Sequence, residues 1–154
     1  MKWRMKDTDV FLNSRAFVDT LLIPLIPFSL GGTYKTRVNE GDYAAMLCEE
    51  LERQLSGRLY LAPPFVYLEG EESTQATRRL IEWTSHACHD GQFKHVFYVT
   101  CDVEWKSRED GLSGSLLWLP AIPVESMDPE MKEELLKGQA KPLFQLIFSK
   151  WQEQ

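Results

Sequence analysis
Leu21-Leu-Ile-Pro-Leu-Ile-Pro-Phe28 is an apolar run broken twice by proline. It falls well short of the roughly 20 apolar residues that span a bilayer, and Pro24 and Pro27 would break a helix interior. It therefore reads as a buried strand. Three further runs share its character: Leu59–Tyr67, His95–Cys101 and Leu116–Ile122. Pro63 and Pro64 fall in the first of these, and Pro120 and Pro123 close the last. Helix-like stretches separate the four runs. Such alternation predicts βα units around a mostly parallel sheet. The expected architecture is a three-layer α/β sandwich with a four-stranded, mainly parallel sheet and flanking helices, residues 1–154 forming one domain. Sheets of this kind take their ligands at the carboxyl ends of the strands.

Working outward, Pro24 predicts a bulge or an edge position, and Pro27 the end of its strand. Asn39 to Ser56 reads as the clearest helix, with Asn39 as N-cap, an i+4 stripe of Tyr43, Leu47, Leu51 and Leu55, and Gly57 as the stop. Thr74 to Asp90 is the next helix, with Ala76, Leu80, Trp83 and Ala87 as its core stripe. Glu104 to Ser115 is polar and glycine-containing and reads as a long loop. Asp128-Pro129 starts a capped helix with Met131 and Leu135 inward as far as Gly138, and Pro142 starts a last one. Near the start, Asp7 or Thr8 can cap a short helix carrying Val10, Phe11 and Phe17.

Lys and Arg number 17 against 23 Asp and Glu, a net charge of −6. That balance argues against nonspecific nucleic-acid binding and against an anionic membrane surface. No apolar run is long enough for a membrane span. Met1-Lys-Trp-Arg-Met-Lys6 is basic, but Asp7 and Asp9 follow it with no apolar core, so no signal peptide is expected. Cys48, Cys88 and Cys101 are widely spaced, and no CxxC pair occurs. This suits free thiols in a cytoplasmic protein. Neither GxGxxG nor GxxxxGK[ST] is present, so no nucleotide cofactor is expected.

The strand ends deliver a set of polar groups to one edge. Ser29 and the Gly31-Gly32-Thr33 turn follow the first run, Tyr67, Glu69, Glu71 and Glu72 the second, Cys101, Asp102 and Glu104 the third, and Glu125 the fourth. Ser29, Tyr67, Glu69, Cys101, Asp102 and Glu104 form the candidate ligand site. Close carboxylates there can hold a hard cation or work as an acid/base pair. The weightier reading leaves them solvated, with Glu71 and Glu72 favouring a helix N-terminus. Glu82, His86 and His89 share a helix face but lack a fourth ligand, so no metal set is assigned. Cys101 lies beside Asp102, which raises a thiol pKa, and His95 is about 20 Å away along an extended strand. Gly111-Leu-Ser-Gly-Ser115 is not GxSxG and precedes a strand instead of following one. No catalytic residue is assigned.

Met1-Lys-Trp, Val18-Asp-Thr-Leu-Leu-Ile-Pro-Leu-Ile-Pro27 and Leu51-Glu-Arg-Gln-Leu-Ser-Gly-Arg-Leu-Tyr-Leu-Ala-Pro-Pro-Phe65 resemble a family of short, uncharacterised cytosolic proteins of Bacillus-type bacteria, catalogued as a domain of unknown function. The resemblance covers the whole chain and implies no activity. A more distant likeness is to the creatininase family of metal-dependent amidohydrolases, in the order of Ile23–Gly32, Ala62–Glu72 and Gly91–Trp105. Ser29-Leu-Gly-Gly-Thr33 stands where that family's Glu-x-His pair belongs, and Thr100-Cys-Asp-Val-Glu104 where its Asn-Gly-His-Gly belongs. The likeness thus implies the α/β layers and carries over no ligand.

The leading functional expectation is a non-catalytic interaction or regulatory protein. Phe144, Phe148 and Trp151 on the last helix are its candidate interface, for a homodimer or a protein partner. The alternative is a small-molecule or metal-dependent hydrolase using the acidic strand ends.

Overall fold
The computed structural model describes residues 1–153. Its central strand is β1 (Thr20–Phe28), with β2 (Leu59–Leu61) and β3 (Phe65–Leu68) in succession along one side and β4 (His95–Thr100) along the other; β5 (Ser115–Trp118) lies outside β4. Every pairing is parallel. The expected layered α/β fold is present, with five strands in place of four. The extra one arises because Pro63-Pro64 splits the second apolar run into β2 and β3.

That split explains Pro24, which sits in the middle of the central strand and not at a bulge or an edge. Ala62 N donates to Leu22 O at 2.9 Å and Glu69 N to Phe28 O at 3.1 Å, so the even-numbered residues of β1 turn their backbone toward β2 and β3. Pro24 therefore points its missing N–H into the Pro63-Pro64 gap, where no ladder bond is lost. Pro27 points the other way. The register sets Pro24 against Val99, so Pro27 lies beyond the end of β4.

Both faces of the sheet are covered. Leu22, Leu59, Phe97, Val99 and Leu117 pack against α2 (Tyr34–Gln54) and α4 (Pro129–Gln152) on one side. Leu21, Ile23, Leu25, Phe65, Tyr98 and Leu116 pack on the other with α3 (Ser73–Ala87) and Trp105. Strands covered on both faces bury alternate residues on each, which is why the runs read as continuously apolar. The short α1 (Thr8–Ser14) lies outside, with Phe11 edge-on to Tyr60 at 5.1 Å and Phe17 exposed. Among the described residues no helix is long and apolar enough to cross a membrane.

Several boundaries differ from expectation for identifiable reasons. The helix read from Asn39 begins at Tyr34, because its first turns project past the core and carry exposed Tyr34 and Val38 where a stripe would be sought. The α3 stripe runs through Ala76, Leu80 and Thr84, leaving Trp83 exposed; Thr84 is tolerated because its hydroxyl bonds Leu80 O and Tyr98 Oη, each at 2.8 Å. The segment read as a loop after Asp102 is a 3-10 stretch, Val103–Gly111, anchored by fully buried Trp105. The last two helices are one, α4, with Pro142 inside it and Met131 exposed.

Candidate functional site
In an open α/β sheet the crevice lies outside the strand carboxyl ends, where the connections change direction. Here α2 carries the chain from β1 to β2 on one side, and α3 carries it from β3 past β1 to β4. The turning point is between β1 and β4. The loop Ser29–Thr33 and the residues Cys101 and Asp102 flank it.

Arg37, one turn into α2, is the hub. Its Nη1 contacts Glu40 at 2.9 Å and Asp102 at 3.7 Å, and its Nε donates to Glu69 at 3.1 Å. Thr33 Oγ1 also donates to Glu69. Tyr67 donates its hydroxyl to Asp102 Oδ2 at 2.7 Å. Carried on, the strand register places Pro27 between Tyr67 and Asp102, so the phenol reaches across the end of β1 over a flat ring. Asp102 Oδ1 accepts from Glu104 N at 3.1 Å and so caps the 3-10 stretch, while Asp102 N donates to Thr100 Oγ1 at 3.0 Å. Trp105 lies edge-on to the Tyr67 ring at 5.2 Å and closes the back of the cluster.

Three carboxylates thus surround one guanidinium. Burial works against the charge of Arg37, but Glu40, Glu69 and Asp102 together hold its pKa above the ordinary value. Burial pushes the Glu40 carboxyl up; Arg37 offsets this in part, and the charges of Asp102 and Glu69 push it up again. Glu69 sits below its ordinary value, held by the hydroxyls of Thr33 and Ser29 and then by Arg37. Burial and then the Asp102 carboxylate lift the Tyr67 phenol far above the usual range, so it is a fixed donor.

Of the residues singled out in the sequence, Tyr67, Glu69 and Asp102 meet in this cluster, with Ser29 at its rim. Glu104 does not join it: only its backbone N–H does, while its exposed side chain turns to Arg108 at 3.7 Å. Cys101 faces the other side of the sheet, in the core with Tyr43 and Cys48, where burial pushes its thiol up to about 12. Glu82 and His86 lie exposed on α3 and His89 is exposed just past its end, and among the described residues no group of three His, Cys, Asp or Glu side chains is placed to hold a metal ion. Trp151 packs inward. Its Nε1 donates to Thr20 Oγ1 at 2.8 Å and Arg58 stacks on its ring at 4.0 Å, leaving Phe148 exposed and Phe144 half-buried beside it. Sequence reading missed Arg37 and Glu40, because the helix was expected to start only at Asn39, after Arg37, while Thr33 was placed at this edge as part of a turn; the i, i+3 Arg37–Glu40 spacing was the available signal.

Beside the cluster the sheet end opens into a groove of about 1210 Å³ between β1, β3 and α3. Its apolar walls are Phe28, Leu30, Val66 and Leu68, which are 50, 76, 49 and 58% exposed. Glu69, Glu71, Glu72 and Arg79 supply its charge.

The family described as a protein of unknown function, DUF2487, matches residues 9–151. The chain is 32% identical over 152 residues to the uncharacterized protein YpiF of Bacillus subtilis (strain 168), with 98% of each chain covered. No solved structure matches it. The first two findings bear out the resemblance carried by Val18–Pro27 and Leu51–Phe65.

Proposed function
The chain belongs to the DUF2487 family of proteins of unknown function, and from that footing we propose that it is a non-catalytic interaction protein that receives a partner protein at the carboxyl end of its sheet. One observation carries this reading. The reactive groups at the strand ends are engaged with one another, whereas Phe28, Leu30, Val66 and Leu68 stand exposed side by side in the adjoining groove. Clustered exposed apolar side chains with a polar rim mark interaction surfaces. The rim holds three carboxylates to one guanidinium, so the complementary surface is apolar with net positive charge. We place the protein in the cytoplasm, where its three free thiols are at home. Of Phe144, Phe148 and Trp151, exposed Phe148 with half-buried Phe144 stays proposed as a second surface, for a homodimer, and Trp151 packs inward behind Phe148.

The test is affinity purification from the native cell with wild type and a Leu30→Asp/Leu68→Asp variant. The reading expects a partner in near-equal amount with wild type, released by salt and lost with the variant. Identical captures by both would overturn it. A second reading, metal-assisted hydrolysis, draws on Glu40, Glu69 and Asp102 all facing the Arg37 guanidinium, though as placed they form no metal-holding group. It requires a divalent ion to displace Arg37. Elemental analysis finding stoichiometric metal that is lost in Asp102→Asn would favour it over the first.

A further inference from the structure
An open sheet edge offers unpaired N–H and C=O groups to any second strand, and folded proteins block or cover it. The β2–β3 side of this sheet is blocked in two ways. Along β2 the backbone of Met1 and Lys2 does it: the Met1 amine donates to Leu59 O at 3.0 Å, and Leu61 N donates to Met1 O at 2.7 Å. Along β3 the block is made of two side chains and one backbone turn. Glu69 N is bonded to Phe28 O on β1, so Phe65, Tyr67 and Glu69 turn their backbone groups inward, and Val66 and Leu68 turn theirs outward. Arg79 Nη2 donates to Val66 O at 3.1 Å. Glu71 Oε1 accepts from Leu68 N at 3.4 Å, and Glu71 N donates to Leu68 O at 3.0 Å. The two side chains are locked together by a fork of Nε–Oε2 at 2.7 Å and Nη2–Oε1 at 2.8 Å. Arg79 is further fixed by stacking on Phe65 at 4.7 Å, and the Glu71 side chain is only 7% exposed.

We infer that the Glu71–Arg79 pair is an edge guard, occupying the hydrogen-bonding positions through which β3 would pair with β3 of a second copy of this chain. A second copy is the occupant because two identical edges related by a twofold axis run antiparallel and are self-complementary. Val66 and Leu68, both about half exposed, would gain apolar contact in that pairing. The inference does not depend on the proposed function, since the edge needs a guard whatever the groove binds.

Removing the guard tests it. Arg79→Ala should associate one step beyond the wild-type state in light scattering, with a dissociation constant at least about tenfold lower. Adding Val66→Pro should reverse this. The Val66 N–H faces outward, so proline there leaves the β1 ladder intact and blocks only an added strand. A folded Arg79→Ala with wild-type mass at all concentrations overturns the inference, and so does association that Val66→Pro leaves unchanged. If Arg79→Ala does not fold, amide exchange in the wild type decides. A guard protects Leu68 N–H well beyond Val66 N–H, and equal exchange at the two overturns it.

Discussion
Arg37 carries the balance of charge at the sheet end, because Glu40 and Asp102 are both nearly buried beside it. Removing one member of such a set leaves the others unpaired in a poorly solvated place. Arg37→Met should therefore lower stability by about 2 kcal/mol, at the modest end for a site still touched by water, as a shifted urea midpoint with unchanged slope. Glu40 behaves in the opposite sense. Its folded pKa is raised above the ordinary 4.5, so the fold prefers its protonated form. Its contribution is fully present below the unfolded value and is lost as pH rises through the folded one. Glu40→Gln should accordingly match or exceed wild-type stability at neutral pH, and its relative advantage should shrink as pH falls toward 4.5. An advantage that grows on acidification would show that Arg37 outweighs burial at this carboxyl. Gly114 is constrained by space, not charge: a Cβ there would lie 2.5 Å from Val96 O, a backbone atom that cannot step aside. Gly114→Ala should push β5 off β4 and cost on the order of 2 kcal/mol, seen as a lowered melting temperature.

At the scale of elements, the strands were legible because proline and continuous apolar runs speak directly to burial. The three-residue gap that turns one run into β2 and β3 was not, since Pro63-Pro64 reads equally as a strand end. The helix ends were least legible where a helix outruns its core. The first turns of α2 bury nothing that a periodic stripe would reveal, yet they bring Arg37 and Glu40 to the site. The meeting of Tyr67, Glu69 and Asp102 was legible because topology alone sends strand ends to one edge; the turn of the Glu104 side chain away from them was not, because it follows from the 3-10 stretch that Asp102 caps. α4 shows the same limit. Pro142 looked like a helix start, but the helix passes through it, and the residue four before it, whose carbonyl the ring crowds, is Gly138. The exposed Pro142 therefore costs helix energy without a compensating contact. Pro142→Ala should stabilise the protein by about 1 to 3 kcal/mol, read as a higher thermal midpoint. A lower midpoint would mean that the proline fixes a bend which Leu143 and Ile147 need for packing.

Across the whole molecule, two cores share β1 and β4, and the thiols report on them separately. Cys48 and Cys101 lie buried in the core under α2 and α4, while Cys88 caps α3 at half-burial. Burial raises all three thiol pKa values, that of Cys101 to about 12 and that of Cys48 well above the ordinary 9.0. Two consequences follow from one cause. A thiolate reagent should modify Cys88 in the native protein, whereas Cys48 and Cys101 should react only as fast as the chain unfolds globally. A folded pKa above the unfolded one also means that each thiol's contribution is intact below the unfolded value and is lost as pH climbs through the folded value. Stability should therefore begin to fall above the ordinary thiol value of 9.0. The buried tyrosines, starting from 10.0, take part only at still higher pH. A Cys48→Ala/Cys101→Ala variant starts lower, because two buried side chains are trimmed, but it should lose less of its stability between pH 8 and pH 9.5 than wild type does. Urea midpoints for the two proteins across that interval give the comparison, with every other titrating group common to both. Parallel curves would place the alkaline loss outside the α2–α4 core.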